Sequence, residues 1–166
     1  MLFGLTIAAP NTAAKDEPNY QIAFAKFAPM NTDIFTADAN GSNAKLLLAH
    51  PESDYNASFS PDGKWIFFTL ERNGSADIYR VSKDGKNLER LTNAPSNDAH
   101  CSWSPDGKWI AFAGARGGFK DESVLHPLNP QPYGEIYVMR SDGSDVRMLI
   151  DDQFEAATPA WIPFRH

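Results

Sequence analysis

The chain has 166 residues, a net charge of −6 and a single cysteine. That length holds one domain, one cysteine excludes an intrachain disulfide, and the acidic balance argues against a nucleic-acid backbone as partner, which would require a basic face. No apolar run reaches the roughly 18 residues that mark a membrane-spanning helix.

Met1–Pro10 is apolar and uncharged, and the small, polar Asn11–Lys15 follows. This pattern resembles the back half of a secretory signal peptide without its basic start, which places the mature chain in the periplasm or outside the cell. The plainer alternative is an N-terminal arm over 1–19.

From Tyr20 onward the chain reads as short strands separated by turn residues, with no sustained helical period. Tyr20–Lys26 is the first strand. A second, at about 32–37, carries Asp33-Ile34-Phe35, and a turn at Asn40-Gly41 leads to a third at about 44–49. Next comes Ser60-Pro61-Asp62-Gly63-Lys64-Trp65-Ile66, which recurs letter for letter 44 residues later as Ser104-Pro105-Asp106-Gly107-Lys108-Trp109-Ile110. Each copy is a tight turn feeding a strand. Proline presets φ at the second turn position, glycine suits the fourth, and the aspartate can bond nearby amides. Pro61, Asp62, Gly63, Pro105, Asp106 and Gly107 are therefore read as structural turn residues. The runs after the turns, Trp65–Phe68 and Trp109–Phe112, are apolar at every position, as a strand covered on both faces should be.

The repeat extends further. Asp77-Ile78-Tyr79, Asp84-Gly85 and Leu91-Thr92 have counterparts 44 residues earlier and 58 residues later; the longer step contains a 14-residue insertion between Arg116 and Ile136. A period in the forties with four short strands per unit predicts propeller blades. Strand A lies at about 57–60 and 101–104, strand B at 64–70 and 108–114, strand C at 32–37, 76–82 and 134–140, and strand D at 44–49, 87–92 and 146–150. Trp65, Trp103, Trp109, Trp161, Phe59, Tyr79 and Tyr137 are expected between blades, and Cys101 as a small buried residue.

The pattern aromatic-Ser-Pro-Asp-Gly-Lys, Ile-Ala-Phe, Ile-Tyr, Asp-Gly, Leu-Thr resembles the repeat of TolB-type β-propellers, a WD-like architecture, over roughly residues 20 to 163. The fold class is accordingly all-β, with four-stranded antiparallel blades, three per chain. Blade 1 takes about 20–56 plus a C-terminal strand at 158–162, blade 2 about 57–100 and blade 3 about 101–157, within a domain over 20–166. Ala13–Asp16, at the register of the first strand A, is a poor strand, whereas Pro159–Pro163 aligns with Cys101–Pro105. Rings close with between about 4 and 8 blades, and the resemblance implies six, so the expectation is half a ring completed by a second, identical chain.

In such a fold the A–B and C–D turns share one face, and the B–C and D–A connections share the other. The second face carries the variable segments 50–56, 93–100 and 151–158 and the insertion within 117–133, so binding is expected there. The candidate binding residues are His100, Asn56, Asp98, Phe119, His126, Tyr133 and Glu155. His100 precedes strand A, and its repeat equivalents Asn56 and Thr158 are also polar, so the three are expected to line the ring mouth. Together with Asp54, Asp98, His126 and Glu155 they offer possible metal ligands, but without compact ligand spacing no metal or cofactor is expected. The resemblance implies a non-enzymatic module that binds a protein or peptide in the cell envelope. The alternatives are a propeller lyase or hydrolase with its site at the channel mouth, and a fragment with only a structural role. No Gly-x-Ser-x-Gly elbow supports the enzyme.

Overall fold

The computed structural model describes residues 19–27, 31–117, 134–151 and 156–162. These form strands only: β1 Gln21–Phe27, β2 Thr32–Asp38, β3 Lys45–Leu48, β4 Asp54–Phe59, β5 Trp65–Arg72, β6 Ser75–Ser82, β7 Leu88–Arg90, β8 Asp98–Trp103, β9 Trp109–Gly114, β10 Glu135–Arg140 and β11 Arg147–Ile150. They make three antiparallel sheets in the orders β1-β2-β3, β4-β5-β6-β7 and β8-β9-β10-β11. Neighbours in sequence are neighbours in each sheet, several of them joined by tight turns, although β9 and β10 are joined by residues 115–134. β5 and β6, for instance, are joined by Asn73-Gly74, both at positive φ, as a two-residue hairpin turn requires.

The sheets stack as blades. β4 and β8 touch each other and lie on the inner side, while β3, β7 and β11 are the outer strands of their sheets. Between the first and second sheets, Ile34, Ile66, Phe68, Leu70, Tyr79 and Val81 form one core, with Ala23, Ala25 and Phe59 packed against it. Between the second and third, Phe67, Ile78, Ile110, Phe112, Tyr137 and Met139 form another, flanked by Cys101 and Trp103. Alternate side chains of β5 thus enter opposite cores, which is why Ile66–Leu70 is buried at every position. Trp65 and Trp109 differ from expectation. They are half-buried at the turn end of their strands, beneath the guanidinium groups of Arg80 (4.3 Å) and Arg140 (3.8 Å), where the charge takes the place of a facing apolar neighbour.

The two Pro-Asp-Gly turns have the same bonding. Gly63 N–H donates to Ser60 O at 2.8 Å and Gly107 N–H to Ser104 O at 2.9 Å. Asp62 Oδ1 accepts from Ser60 Oγ (2.6 Å) and Lys64 N (3.1 Å), and Ser60 Oγ accepts from Trp65 N (3.0 Å). Asp106 repeats the pattern with Ser104 and Lys108. These bonds hold both carboxyls below the usual carboxylate range.

Strand A begins three residues earlier than the sequence pattern indicates. In β4 the pairing jumps between Tyr55 and Ser58, and in β8 between Ala99 and Ser102. Two residues therefore oppose one at a bulge, and a strict alternation rule loses the strand beyond that point. Thr158–Ile162 is not part of a strand in the described chain; Trp161 Nε1 donates to Ser102 O at 3.0 Å.

Candidate functional site

The inner strands bring together two of the residues singled out from sequence. Asn56 and His100 do not precede strand A; they sit inside β4 and β8, at the bulges, with φ of 57° and 53°. Asn and His are among the non-glycine residues that adopt the left-handed region most readily. The bulge turns both side chains the same way, and Asn56 Nδ2 lies 3.1 Å from His100 Nδ1. With the amide as donor, Nδ1 accepts and the ring proton sits on Nε2. Burial holds the imidazole pKa below its ordinary value, so His100 is neutral at pH 7. Thr158, the third repeat equivalent, has φ 48°.

Below this pair, at the loop-rich end of the strands, lies a row of acids. Asp98, expected in a loop, is the first residue of β8 and fully buried. Arg116 grips it with two bonds, Nε to Oδ1 at 3.1 Å and Nη2 to Oδ2 at 2.7 Å, and stacks over Tyr137 at 4.9 Å. The approach depends on Gly114, where a Cβ would lie 2.8 Å from Asp98 Oδ1. Asp54, the equivalent in β4, is equally buried, but neither of its oxygens has a hydrogen-bond partner. Its pKa is pushed up to about 7, first by burial and then by Asp33, against the pull of Arg72. The second sheet has Leu70, fully buried, where the third has Gly114, and Arg72 lies over Tyr79 at 5.1 Å instead of on the carboxylate. Asp77, at the start of the second blade's C strand, is buried and paired with Arg90 and Thr92; Asp33 and Glu135 occupy the same repeat position. The repeat alignment itself carries this acid column, a signal left unused when only loop residues are considered.

Phe119, His126, Tyr133 and Glu155 lie outside the described residues. Cys101 is half-buried against the second inter-blade core, and burial pushes its thiol pKa up. Among the described residues, no three His, Cys, Asp or Glu side chains are grouped to hold a metal, and no helix is long and apolar enough to cross a membrane. Two clefts open on the opposite, turn-bearing face. One of about 780 Å³ lies between Tyr20–Gln21 and Phe59–Pro61, and one of about 390 Å³ lies between Trp65 and Trp103.

Three stacked antiparallel sheets, two of them four-stranded with the A strand innermost, have the architecture of propeller blades. The family model of the tricorn protease N-terminal beta propeller domain matches residues 19–130. The chain belongs to that family. Among solved structures, the protein assigned as TolB from Agrobacterium tumefaciens superposes with a TM-score of 0.68 at 24% identity, over 87% of this chain and 53% of that one. TolB from Acinetobacter baumannii gives 0.61 at 25%, over 79% and 30%. The tricorn protease gives 0.53 at 11%, over 80% and 12%. The fold is thus a TolB-type β-propeller, and the chain spans about half of one TolB structure and under a third of the other.

Proposed function

We propose that this chain is a binding module without chemistry of its own, that its loop-rich face receives a protein or peptide, and that two copies share one six-bladed ring. The observation that carries the reading is the Asn56–His100 contact at 3.1 Å. Equivalent residues of adjacent blades are presented at the inner rim by bulges, on strands anchored below by a buried acid row. A rigid polar rim under variable loops is an arrangement suited to recognition. The insertion within 117–133 breaks the repeat on that same face and supplies Phe119, His126 and Tyr133 as further contacts, with Glu155 from the last D–A segment. The uncharged Met1–Pro10 stretch supports an exported protein, periplasmic or secreted.

The test uses peptides selected from a displayed random library against the intact protein. Replacing 118–131 by Asn-Gly-Ser, the sequence of the short turn 73–75, should leave melting nearly unchanged, because shortening a surface loop changes closure entropy by about 1 kcal/mol or less. It should weaken the selected peptides at least tenfold. Undiminished binding, or a cooperative loss of folding, would count against the reading.

A further inference from the structure

The turns of this chain use four Asp-Gly pairs, Asp62-Gly63, Asp84-Gly85, Asp106-Gly107 and Asp142-Gly143, and two Asn-Gly pairs, Asn40-Gly41 and Asn73-Gly74. In such a pair the peptide nitrogen of the glycine can attack the side-chain carbonyl of the residue before it, because glycine has no side chain to crowd the approach. Asparagine reacts more readily than aspartate, since a neutral amide carbon is a better electrophile than a carboxylate carbon, and it counts among the thermolabile residues. The attacking N–H must be free to give up its proton. One that already donates to a carbonyl is held by that bond.

All four Asp-Gly amides are engaged: Gly63 and Gly107 donate to the serines that open their turns, Gly85 to Ser82 O at 2.8 Å and Gly143 to Arg140 O at 2.9 Å. Gly41 N likewise donates to Asp38 O at 2.8 Å, and Asn40 Oδ1 accepts from Ser42 N at 2.9 Å, so both reacting groups of that pair are tied into their turn. Asn73-Gly74 differs. These two residues form the tip of the β5–β6 hairpin, with φ of 54° and 78°, and the ladder closes at Arg72 and Ser75 on either side of them. A two-residue turn leaves the N–H of its second residue outside the ladder. Among the described residues, neither the Gly74 amide nor the Asn73 side chain has a hydrogen-bond partner, and nothing lies within 4 Å of a Cβ placed on Gly74. Exposure does not separate the two Asn-Gly pairs, since all four residues are exposed. Bonding does.

We propose that Asn73 is a site of spontaneous deamidation, and that the fold leaves this pair open to the reaction while it protects Asn40. The Gly74 nitrogen loses its proton and bonds to Asn73 Cγ. The Cγ–Nδ2 bond breaks, and the side-chain nitrogen leaves with that proton as ammonia, giving a five-membered succinimide. Water then opens the ring on one side or the other. Cleavage at Cγ leaves aspartate and the original backbone. Cleavage at the main-chain carbonyl leaves isoaspartate, in which the chain runs through Cβ and Cγ. Ring closure needs rotation within the turn, and a solvated hairpin tip is among the parts of a fold that open at least cost. Either product adds a negative charge on the loop-rich face, beside Glu52, whose Oε1 accepts from Asn73 N at 3.4 Å. Isoaspartate also lengthens a turn that closes the β5–β6 ladder with two residues. The reaction depends on the hairpin alone and stands or falls apart from the binding reading above.

The test is to age the intact protein in mildly alkaline buffer, with a parallel sample unfolded in urea, and to follow both asparagines by mass spectrometry after trypsin. Cleavage after lysine and arginine separates them, with Asn73 in the peptide Asn73–Arg80 and Asn40 in Phe27–Lys45. Deamidation replaces NH by O in the peptide mass, and fragmentation places the change. In the folded protein Asn73 should react at least tenfold faster than Asn40. In urea, where each is simply an asparagine before a glycine, the two rates should converge. Isoaspartyl methyltransferase should label the aged peptide at residue 73, which marks passage through the ring, and Asn73→Gln should abolish that label. Equal rates in the folded protein would overturn the proposal, because the bond at Gly41 would then give no protection. So would a folded Asn73 slowed as much as Asn40 relative to urea, which would make the hairpin itself protective. Aspartate without isoaspartate would replace ring closure by direct hydrolysis and overturn it too.

Discussion

The repeat makes Asp54 and Asp98 equivalent, and the structure makes them opposite in chemistry. Asp98 is held by Arg116 through two hydrogen bonds. Asp54 is buried without a hydrogen bond, and its pKa of about 7 reflects the cost of ionising it there. A carboxyl with a raised folded-state pKa stays protonated in the native state while the unfolded chain has already released its proton. Its contribution to stability is therefore fully present below about pH 4 and is lost as pH rises toward 7. Asp77, whose pKa is also raised by burial, acts in the same direction. Asp62, Asp84, Asp106 and Asp142, all with lowered pKa values, act oppositely, and only in acid. Asp54→Asn should therefore match the parent protein at pH 4 and exceed it at pH 8 by roughly 1 to 3 kcal/mol, given about 1.4 kcal/mol per pKa unit, as read from urea midpoints. A pH slope unchanged in the variant would assign the effect to another group. Sequence alone names both acids as loop residues near His100 and does not tell them apart. The difference lies in whether residue 70 or 114 is glycine and in which way an arginine turns, and neither is a matter of period.

At the level of the element, most strands were readable because the two signals that define them, turn residues and apolar runs, coincide. β5 and β9 start one residue from where the Pro-Asp-Gly turns put them. Strand A is longer than its pattern predicts because the bulge breaks the period of two, and the residues at the break then read as the loop before the strand. The recurrence of Asn, His and Thr at one repeat position was the available clue, since the first two tolerate positive φ. If the left-handed backbone is what position 56 requires, side chains should rank by their tolerance of it. Asn56→Gly should keep nearly all of the stability, while Asn56→Val should cost about 1–2 kcal/mol. Equal losses from both would mean that the hydrogen bond to His100, and not the bulge, is what position 56 supplies.

At the level of the whole molecule, the two junctions between the three blades are buried, and so is the far face of blade 3, where Ala111, Ala113, Ile136 and Val138 are at most 7% exposed, whereas the outer face of blade 1 is partly open. Tyr20, Ile22, Leu46, Leu149 and Ile150 are each more than 40% exposed, and they lie on the first and third blades. The repeat exposes the reason. A propeller blade has no polar face, because each face is designed by the period to meet a neighbour, so any array short of a ring carries apolar surface and an unpaired strand edge. Lys26, where Leu70 and Gly114 stand in the later blades, is the polar exception on blade 1's outer face, its ammonium 5.3 Å from the Phe35 ring. If ring closure covers these faces, folding and association are one equilibrium, and stability depends on chain concentration. The urea midpoint should rise as total protein is raised from about 1 to about 100 µM, and Lys26→Leu, which makes the face match the buried junctions, should raise it further at each concentration. A midpoint independent of concentration across that range, in a protein that light scattering finds monomeric, would mean that three blades are stable with their end faces in water.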